Sequence, residues 1–340
     1  MKKELLNKPY KVAAVSASSE SYNLQAGLEK ANRIVEKAAK AGAILVVFPE
    51  TWLPGFLNGN TVPENISTFD FAAYIENSIE IGSEEWYQLT GIAKKHNVYL
   101  SMSYSRKESN YIFMGQTLID PNGKAIDMRD KIRPSGDDGE RMFFSDVSAK
   151  ENLIVHQTPL GRIGQLSCGE HFNPMMTFPM MAQTENVHIA AFPIYTKEGK
   201  YWWEKAELDI QMSAAKHYVI SYALEEHECW VVEAAVNRSF IMNPEGYIVA
   251  KSEKGDGTEF CIAEIDPSGF KVQAYNSTEK YTWEALKTIQ ETYKGPREEN
   301  IKHEKLNMVD IEKVKENGVE VWMKKLVQNK SGQDLSVGKI

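Results

Sequence analysis

Gly164-Gln165-Leu166-Ser167-Cys168-Gly169-Glu170-His171-Phe172-Asn173-Pro174 changes character twice in a short span. An apolar run ends at the small pair Ser167-Cys168, and a helix start follows at Asn173-Pro174, with Asn suited to the N-cap and Pro to the first helical position. A strand, a sharp turn and a helix are therefore expected. The turn would hold Cys168 at the end of a strand as an exposed thiol, and Gly169 beside it would let a substrate approach the backbone closely. Elsewhere in an intracellular chain a cysteine is most often a small buried hydrophobe. This setting instead makes Cys168 a candidate nucleophile.

Working outward, Tyr10 to Val15 reads as a strand, and from Asn23 to Ala41 the residues Leu24, Leu28, Ala31, Ile34, Val35 and Ala38 recur at helical spacing before Gly42. The apolar strand Ala43 to Phe48 ends in Pro49-Glu50, and a carboxylate there is either solvated at a sheet edge or placed in a functional cleft. A helix from Ser83 to Asn97 precedes a strand from Val98 to Ser103. Tyr111 to Ile119 is a further strand, closed by the turn signal Asp120-Pro121-Asn122-Gly123. Then comes Met128-Arg129-Asp130-Lys131-Ile132-Arg133-Pro134, followed by the polar loop Ser135 to Arg141. Beyond Cys168, Pro174 to Glu185 reads as a helix in which Pro179 should introduce a kink or break. Val187 to Pro193 is a strand, Trp202 to Leu224 a long helix, and Cys229 to Val236 and Phe260 to Ile265 are late strands. Alternating strands and helices indicate a layered α/β fold.

Composition narrows the function. The 340 residues are 42% hydrophobic and 25% charged, which suits one main globular domain with a tail. A balance of 39 basic to 47 acidic residues, net charge −8, disfavours nucleic acid or an anionic membrane surface and favours a small neutral ligand. No apolar run approaches a membrane span, and the opening residues do not form a signal peptide. The three cysteines, Cys168, Cys229 and Cys261, form no CxxC pair, so neither a disulfide framework nor a zinc site is indicated, and a reducing cytoplasm is expected.

Glu50, Lys131 and Cys168 gain meaning together. A thiol of ordinary pKa is only a few per cent ionised near neutrality, so a cysteine nucleophile needs a neighbouring base or positive charge. Glu50 is a candidate base, and Lys131 with the Gly169 N–H could stabilise charge developing on a nitrile or amide under attack. A Cys–His pairing through His171 or His188 stays open on spacing alone.

These stretches resemble the nitrilase superfamily of carbon-nitrogen hydrolases. Phe48-Pro49-Glu50 resembles its glutamate motif, Arg129 to Pro134 its lysine motif, and Leu166-Ser167-Cys168-Gly169-Glu170 its cysteine motif, in the same chain order. Cys168 to His188, with Glu170, His171, Pro174, Glu185 and Val187-His188, is especially similar to the nitrile-hydrolysing branch. Similarity runs from about Tyr10 to Asp266. The resemblance implies a four-layer α-β-β-α sandwich over residues 1–294, with residues 295–340 as a tail. It implies Cys168 as nucleophile, Glu50 as general base, Lys131 as stabiliser of the tetrahedral species and Glu140 as auxiliary acid or base, with Gly169, Glu170 and His171 at the substrate. Neither metal nor organic cofactor is implied.

The expected reaction takes a small organic nitrile to carboxylate and ammonia through a thioimidate and a thioester. An amidase using the same residues is the alternative, and a catalytically silent assembly or binding protein a third. A homodimer or larger homo-oligomer is expected through helices following the cysteine turn. Val319, Trp322, Met323, Leu326 and Val327 recur at helical spacing in the tail and suggest a further subunit contact. The chain departs from the family at Gly169, where nitrilases commonly carry Trp, and a wider pocket is expected there.

Overall fold

Strand β1 (Tyr10–Val15) alternates between two apolar environments: Tyr10, Val12 and Ala14 face one core, Ala13 and Val15 the other. A period of two with both faces apolar is what a strand covered on both sides requires. The computed structural model describes residues 8–20, 22–57, 68–135, 140–194, 229–253, 255–269 and 306–317, with four further positions between 284 and 291.

β1 lies inside a seven-stranded sheet ordered β13 (Phe260–Ile265), β1, β2 (Ala43–Val47), β4 (Tyr99–Glu108), β5 (Tyr111–Ile119), β6 (Ala125–Asp130), with β3 (Ile79–Glu80) pairing to β4. A six-stranded sheet follows the order β12 (Ile248–Glu253), β11 (Arg238–Met242), β10 (Trp230–Val236), β9 (Val187–Ile194), β8 (Gly161–Ser167), β7 (His156–Thr158). β1, β2 and β4 run parallel in the first sheet, and β8, β9 and β10 in the second. The sheets meet through Val12, Leu45 and Val47 on one side and Ile163, Val187, Ile189 and Val232 on the other. Each such side chain stabilises the fold by about 1.5–3 kcal/mol relative to exposure.

Helices α1 (Leu24–Lys40) and α3 (Glu84–His96) cover the outer face of the first sheet. Asn23 accepts from the Ala26 N–H at the start of α1 and Ser83 from the Trp86 N–H at the start of α3. Asn97 ends α3 in the left-handed region at φ 54°. On the far side, α4 (Pro174–Ala182) packs Met180 against Leu166, Ala190 and Phe192 of the second sheet. The order helix, sheet, sheet, helix is the expected four-layer sandwich. The helix expected over Trp202 to Leu224 lies outside the described residues.

Several boundaries differ from expectation for local reasons. β4 continues to Glu108 because Ser105 to Glu108 pair with Tyr111 to Met114 in the β4–β5 hairpin, a cross-strand gain that the polar Ser-Arg-Lys-Glu run conceals. The helix after Asn173 stops at Ala182, and Thr184 takes φ 57°. Pro179 sits within α4 without ending it, and the Gln183 side chain donates to the Pro179 carbonyl at 2.8 Å. Helix α2 (Thr68–Glu76) has no clear periodic signal.

Residues 306–317 of the expected tail pack on their own domain. The Val309 N–H donates to Ser145 Oγ and the Ile311 N–H to the Asn110 carbonyl, both at 2.9 Å. Ile311 and Val314 of α5 (Ile311–Asn317) join Phe71, Tyr74, Phe143 and Phe144 in one cluster. The stripe Val319, Trp322, Met323, Leu326 and Val327 lies outside the described residues.

Candidate active site

Glu50 and Cys168 follow the C-terminal ends of β2 and β8, and β6, antiparallel to β5 as β5 is to β4, delivers Lys131 at the same end of its sheet. Ligand sites in α/β folds form outside the carboxyl ends of strands, where chain segments diverge. The Glu50 N–H donates to the Phe192 carbonyl of β9 at 3.0 Å, joining the exits of the two sheets. The Lys131 N–H donates to the Met114 carbonyl at 2.8 Å, so the lysine stays in strand register although β6 has ended.

Lys131 is fully buried between two carboxylates. Its Nζ donates to Glu50 Oε1 at 2.8 Å and to Glu140 Oε2 at 2.7 Å. Glu140 comes from a 3-10 turn, Glu140–Met142, and its Oε2 also accepts from the Ser135 N–H at 2.6 Å, while its own N–H donates to the Ser135 carbonyl. The other oxygen of Glu50, Oε2, is buried and has no hydrogen-bond partner among the described residues. A buried carboxylate oxygen left unpaired is costly unless a reactant completes it.

Burial pushes the Glu50 carboxyl up to about 8, against the pull of Lys131 and with added repulsion from Glu140. Burial alone would depress the Lys131 ammonium, but Glu140 and Glu50 hold it above the ordinary lysine value. Cys168 is 8% exposed rather than the exposed thiol expected from the turn. Burial, then Glu50, raises it well above the usual thiol value, while Lys131 and the Gly169 backbone N–H favour the thiolate. Its backbone has φ 33°, so the strained residue of the turn is Cys168 itself and not the neighbouring glycine.

Glu170 and His171, expected at the substrate, turn inward instead. Arg129 Nη2 donates to both Glu170 oxygens at 2.7 and 2.8 Å, and these also accept from the Ile132 N–H at 2.9 Å and the Ser167 N–H at 2.8 Å. Glu170 thus clamps the segment after Lys131 to the turn that carries Cys168. His171 Nδ1 donates to the Cys168 carbonyl at 2.9 Å, and its Nε2 meets His188 Nε2 at 2.9 Å. Both ring nitrogens of His171 are thereby engaged away from the sulfur, so His171 is not the base of a Cys–His pair. Arg129 shares the strand face of Lys131, two residues away, and that alternation was the available signal for its place in the site.

Gly169 also differs from expectation. A side chain at this position would run into Ser135 Oγ, so the hydroxyl of the lysine loop occupies the space that the missing side chain leaves. The wider pocket expected from the absence of Trp is filled on this side by Ser135, which the sequence reading did not single out.

Comparison with known proteins bears on the family and the fold. Residues 11–275 match the family model described as carbon-nitrogen hydrolase. A cyanide hydratase from Stereum hirsutum is 32% identical over 219 residues, 64% of this chain and 58% of that protein. A second, from Pyrenophora teres f. teres, is 33% identical over 217 residues, 64% of this chain and 59% of that protein, so the match spans under two thirds of these relatives. An arylacetone-specific nitrilase from Alcaligenes faecalis is 31% identical over 275 residues, 75% of this chain and 76% of that protein. An amidase from Nesterenkonia sp. shares the fold with a TM-score of 0.61 at 15% identity, covering 81% of this chain and 96% of that one. With glutamate, lysine and cysteine motifs brought together at the strand ends of an α-β-β-α sandwich, the chain belongs to the carbon-nitrogen hydrolase family, in its nitrilase branch.

Proposed function

We propose that this chain hydrolyses a small organic nitrile to a carboxylate and ammonia, with Cys168 as nucleophile, Glu50 as general base, Lys131 as electrostatic stabiliser and Glu140 as an auxiliary acid or base. The observation that carries the reading is the unpartnered Glu50 Oε2 in a site where Lys131 holds the other oxygen. Glu50 Oε2 takes the thiol proton as Sγ adds to the nitrile carbon, and the proton passes to the nitrogen to give a neutral thioimidate. Water then adds to that carbon, its proton going to the nitrogen through the carboxylates. The remaining hydroxyl proton passes to the nitrogen as the C–N bond breaks, so ammonia leaves and a thioester remains. A second water, deprotonated by Glu50, adds to the thioester, and the C–S bond breaks to return the thiol and release the acid. Lys131 and the Gly169 N–H face the charge that forms in each addition, where fixed donors in a water-poor site act most strongly.

Ammonia release from a panel of nitriles and matching amides, with intact-mass detection of a Cys168 adduct, tests this. The expected result is turnover of nitriles above amides and an adduct lost in Cys168→Ala. Preference for amides would assign the amidase reaction, and no turnover of either would leave the silent protein.

The same reading includes a homodimer or larger homo-oligomer, supported by the exposed Met175 on α4 directly after the cysteine turn. A cytoplasmic location is supported by the unpaired thiols of Cys168, Cys229 and Cys261. Among the described residues no helix is long and apolar enough to cross a membrane.

A further inference from the structure

Behind Cys168, on the side away from Lys131 and Glu50, lies a second file of buried polar groups that the reaction above does not use. His188 Nδ1 faces the Glu185 carboxylate at 3.0 and 3.1 Å, His188 Nε2 meets His171 Nε2 at 2.9 Å, and His171 Nδ1 meets the Cys168 carbonyl at 2.9 Å. Glu185 and His188 are fully buried and His171 nearly so. His171 also stacks on Phe192, with ring centroids 5.1 Å apart. That stacking and the edge-on contact with His188 fix the imidazole plane.

The direction of each bond follows from what each atom can do. A carbonyl only accepts, so His171 Nδ1 carries a hydrogen and donates to the Cys168 oxygen. Burial, then the charge of His188, keeps His171 neutral, well below the usual imidazole value, so its Nε2 is bare and must accept from His188 Nε2–H. His188 Nδ1 in turn lies against the Glu185 carboxyl, which anchors the far end of the file. The two hydrogen bonds nearest the nucleophile, His188 Nε2–H to His171 Nε2 and His171 Nδ1–H to the Cys168 carbonyl, point the same way, and aligned bonds strengthen one another.

The receiving carbonyl belongs to the peptide whose N–H is that of Gly169. That N–H is covalently adjacent to Cys168 and favours its thiolate. Drawing electron density onto the carbonyl oxygen of an amide makes its N–H a better donor. We propose that Glu185, His188 and His171 form a positioning relay that polarises the Cys168–Gly169 peptide and so strengthens the Gly169 N–H as stabiliser of the Cys168 thiolate. The role rests on Cys168 being the nucleophile, but not on the identity of the substrate. Gly164 of β8 makes room for it: a Cβ there would overlap Glu185 Oε2 and lie 2.8 Å from Met180 Cε, so the strand that carries the cysteine has no side chain where the carboxylate stands.

The test is the pH dependence of Cys168 alkylation by iodoacetamide, followed by peptide mass mapping and requiring no turnover. His171→Leu removes the donor, His171→Asn keeps a donor for the Cys168 carbonyl without reaching His188, and Glu185→Gln keeps size while removing charge. At metal sites, loss of a hydrogen-bonded group behind a ligand typically costs about 10–100-fold, and a relay behind a thiolate is expected at the low end of that range. The alkylation midpoint should rise by about one pH unit in His171→Leu, a tenfold loss of rate below the midpoint. Glu185→Gln should shift in the same direction, and His171→Asn should fall between His171→Leu and wild type. An unchanged midpoint in folded Glu185→Gln and His171→Asn overturns the relay, and this pair decides the matter if His171→Leu does not fold. Shifted midpoints in a protein that hydrolyses no nitrile would keep the relay and refute the substrate reading instead.

Discussion

Replacing Glu50 by Gln should abolish turnover and yet make the protein gain stability, relative to wild type, as pH rises. Glu50 is 2% exposed, and its folded value of about 8 stands against an ordinary 4.5. A carboxyl whose folded value is raised binds its proton more tightly in the native state. Its contribution is therefore complete below about pH 4.5 and is lost progressively as pH rises to about 8. Each pH unit well inside that window removes about 1 kcal/mol or slightly more, which amounts to about 2–3 kcal/mol between about pH 5 and about pH 7. Glutamine has the same shape, keeps an oxygen for Lys131 and does not titrate. The difference in unfolding free energy between Glu50→Gln and wild type should therefore move in favour of the variant by about 2–3 kcal/mol over that interval. Urea denaturation of both proteins at the two pH values measures it, and ammonia release should fall by about 10²–10⁴-fold in the same variant. A free-energy difference that stays constant between the two pH values would refute the argument that burial sets this group's proton affinity.

Cys168→Ala should eliminate turnover and the covalent adduct while the melting temperature stays near wild type, because little buried area is removed; residual turnover would displace the nucleophile to another residue. Lys131→Met should lower kcat by about 10²–10³-fold, the scale for removing one fixed stabiliser of developing charge, and near wild-type kcat would show that the lysine only fills space. The kcat/KM profile for wild type should show an acid limb near the raised Glu50 value of about 8, belonging to the coupled site as a whole, whereas a limb at 4.5 would show that burial does not raise the carboxyl in the working site. Gly169→Ala should lose activity by collision with Ser135 Oγ and recover it in the double variant with Ser135→Gly; equal activity of the single and double variants would show that the hydroxyl simply turns aside.

The element types of the first sheet and the three motif positions were legible in the residues. Leu24, Leu28, Ala31 and Val35 declare a helix by spacing, Ala43 to Val47 a buried strand, and Glu50, Lys131 and Cys168 each stand where such an element ends. Local chemistry decides these features, since periodicity, caps and turn residues act within a few positions of the chain. Segments with weak periodicity were not legible: α2 has no polar stripe, and the polar end of β4 is a strand only because Tyr111 to Met114 lie across from it.

What each site residue faces was decided by the tertiary structure alone. Glu170 and His171 follow the nucleophile directly and read as substrate contacts, but a turn that gives Cys168 φ 33° sends them inward, to Arg129 and to His188. Ser135 reads as a loop residue, yet closes the space beside Gly169 because Glu140 holds its backbone from across the same loop. Spacing along a chain records which residues can share a face of one element. It carries no record of which strands will end at one edge of a sheet or which loop will fold back on them: strand order in the first sheet brought Glu50 to Lys131 from 81 residues away, the loop returned Glu140 from 9 residues away, and only the packing of the second sheet brought Cys168 to them.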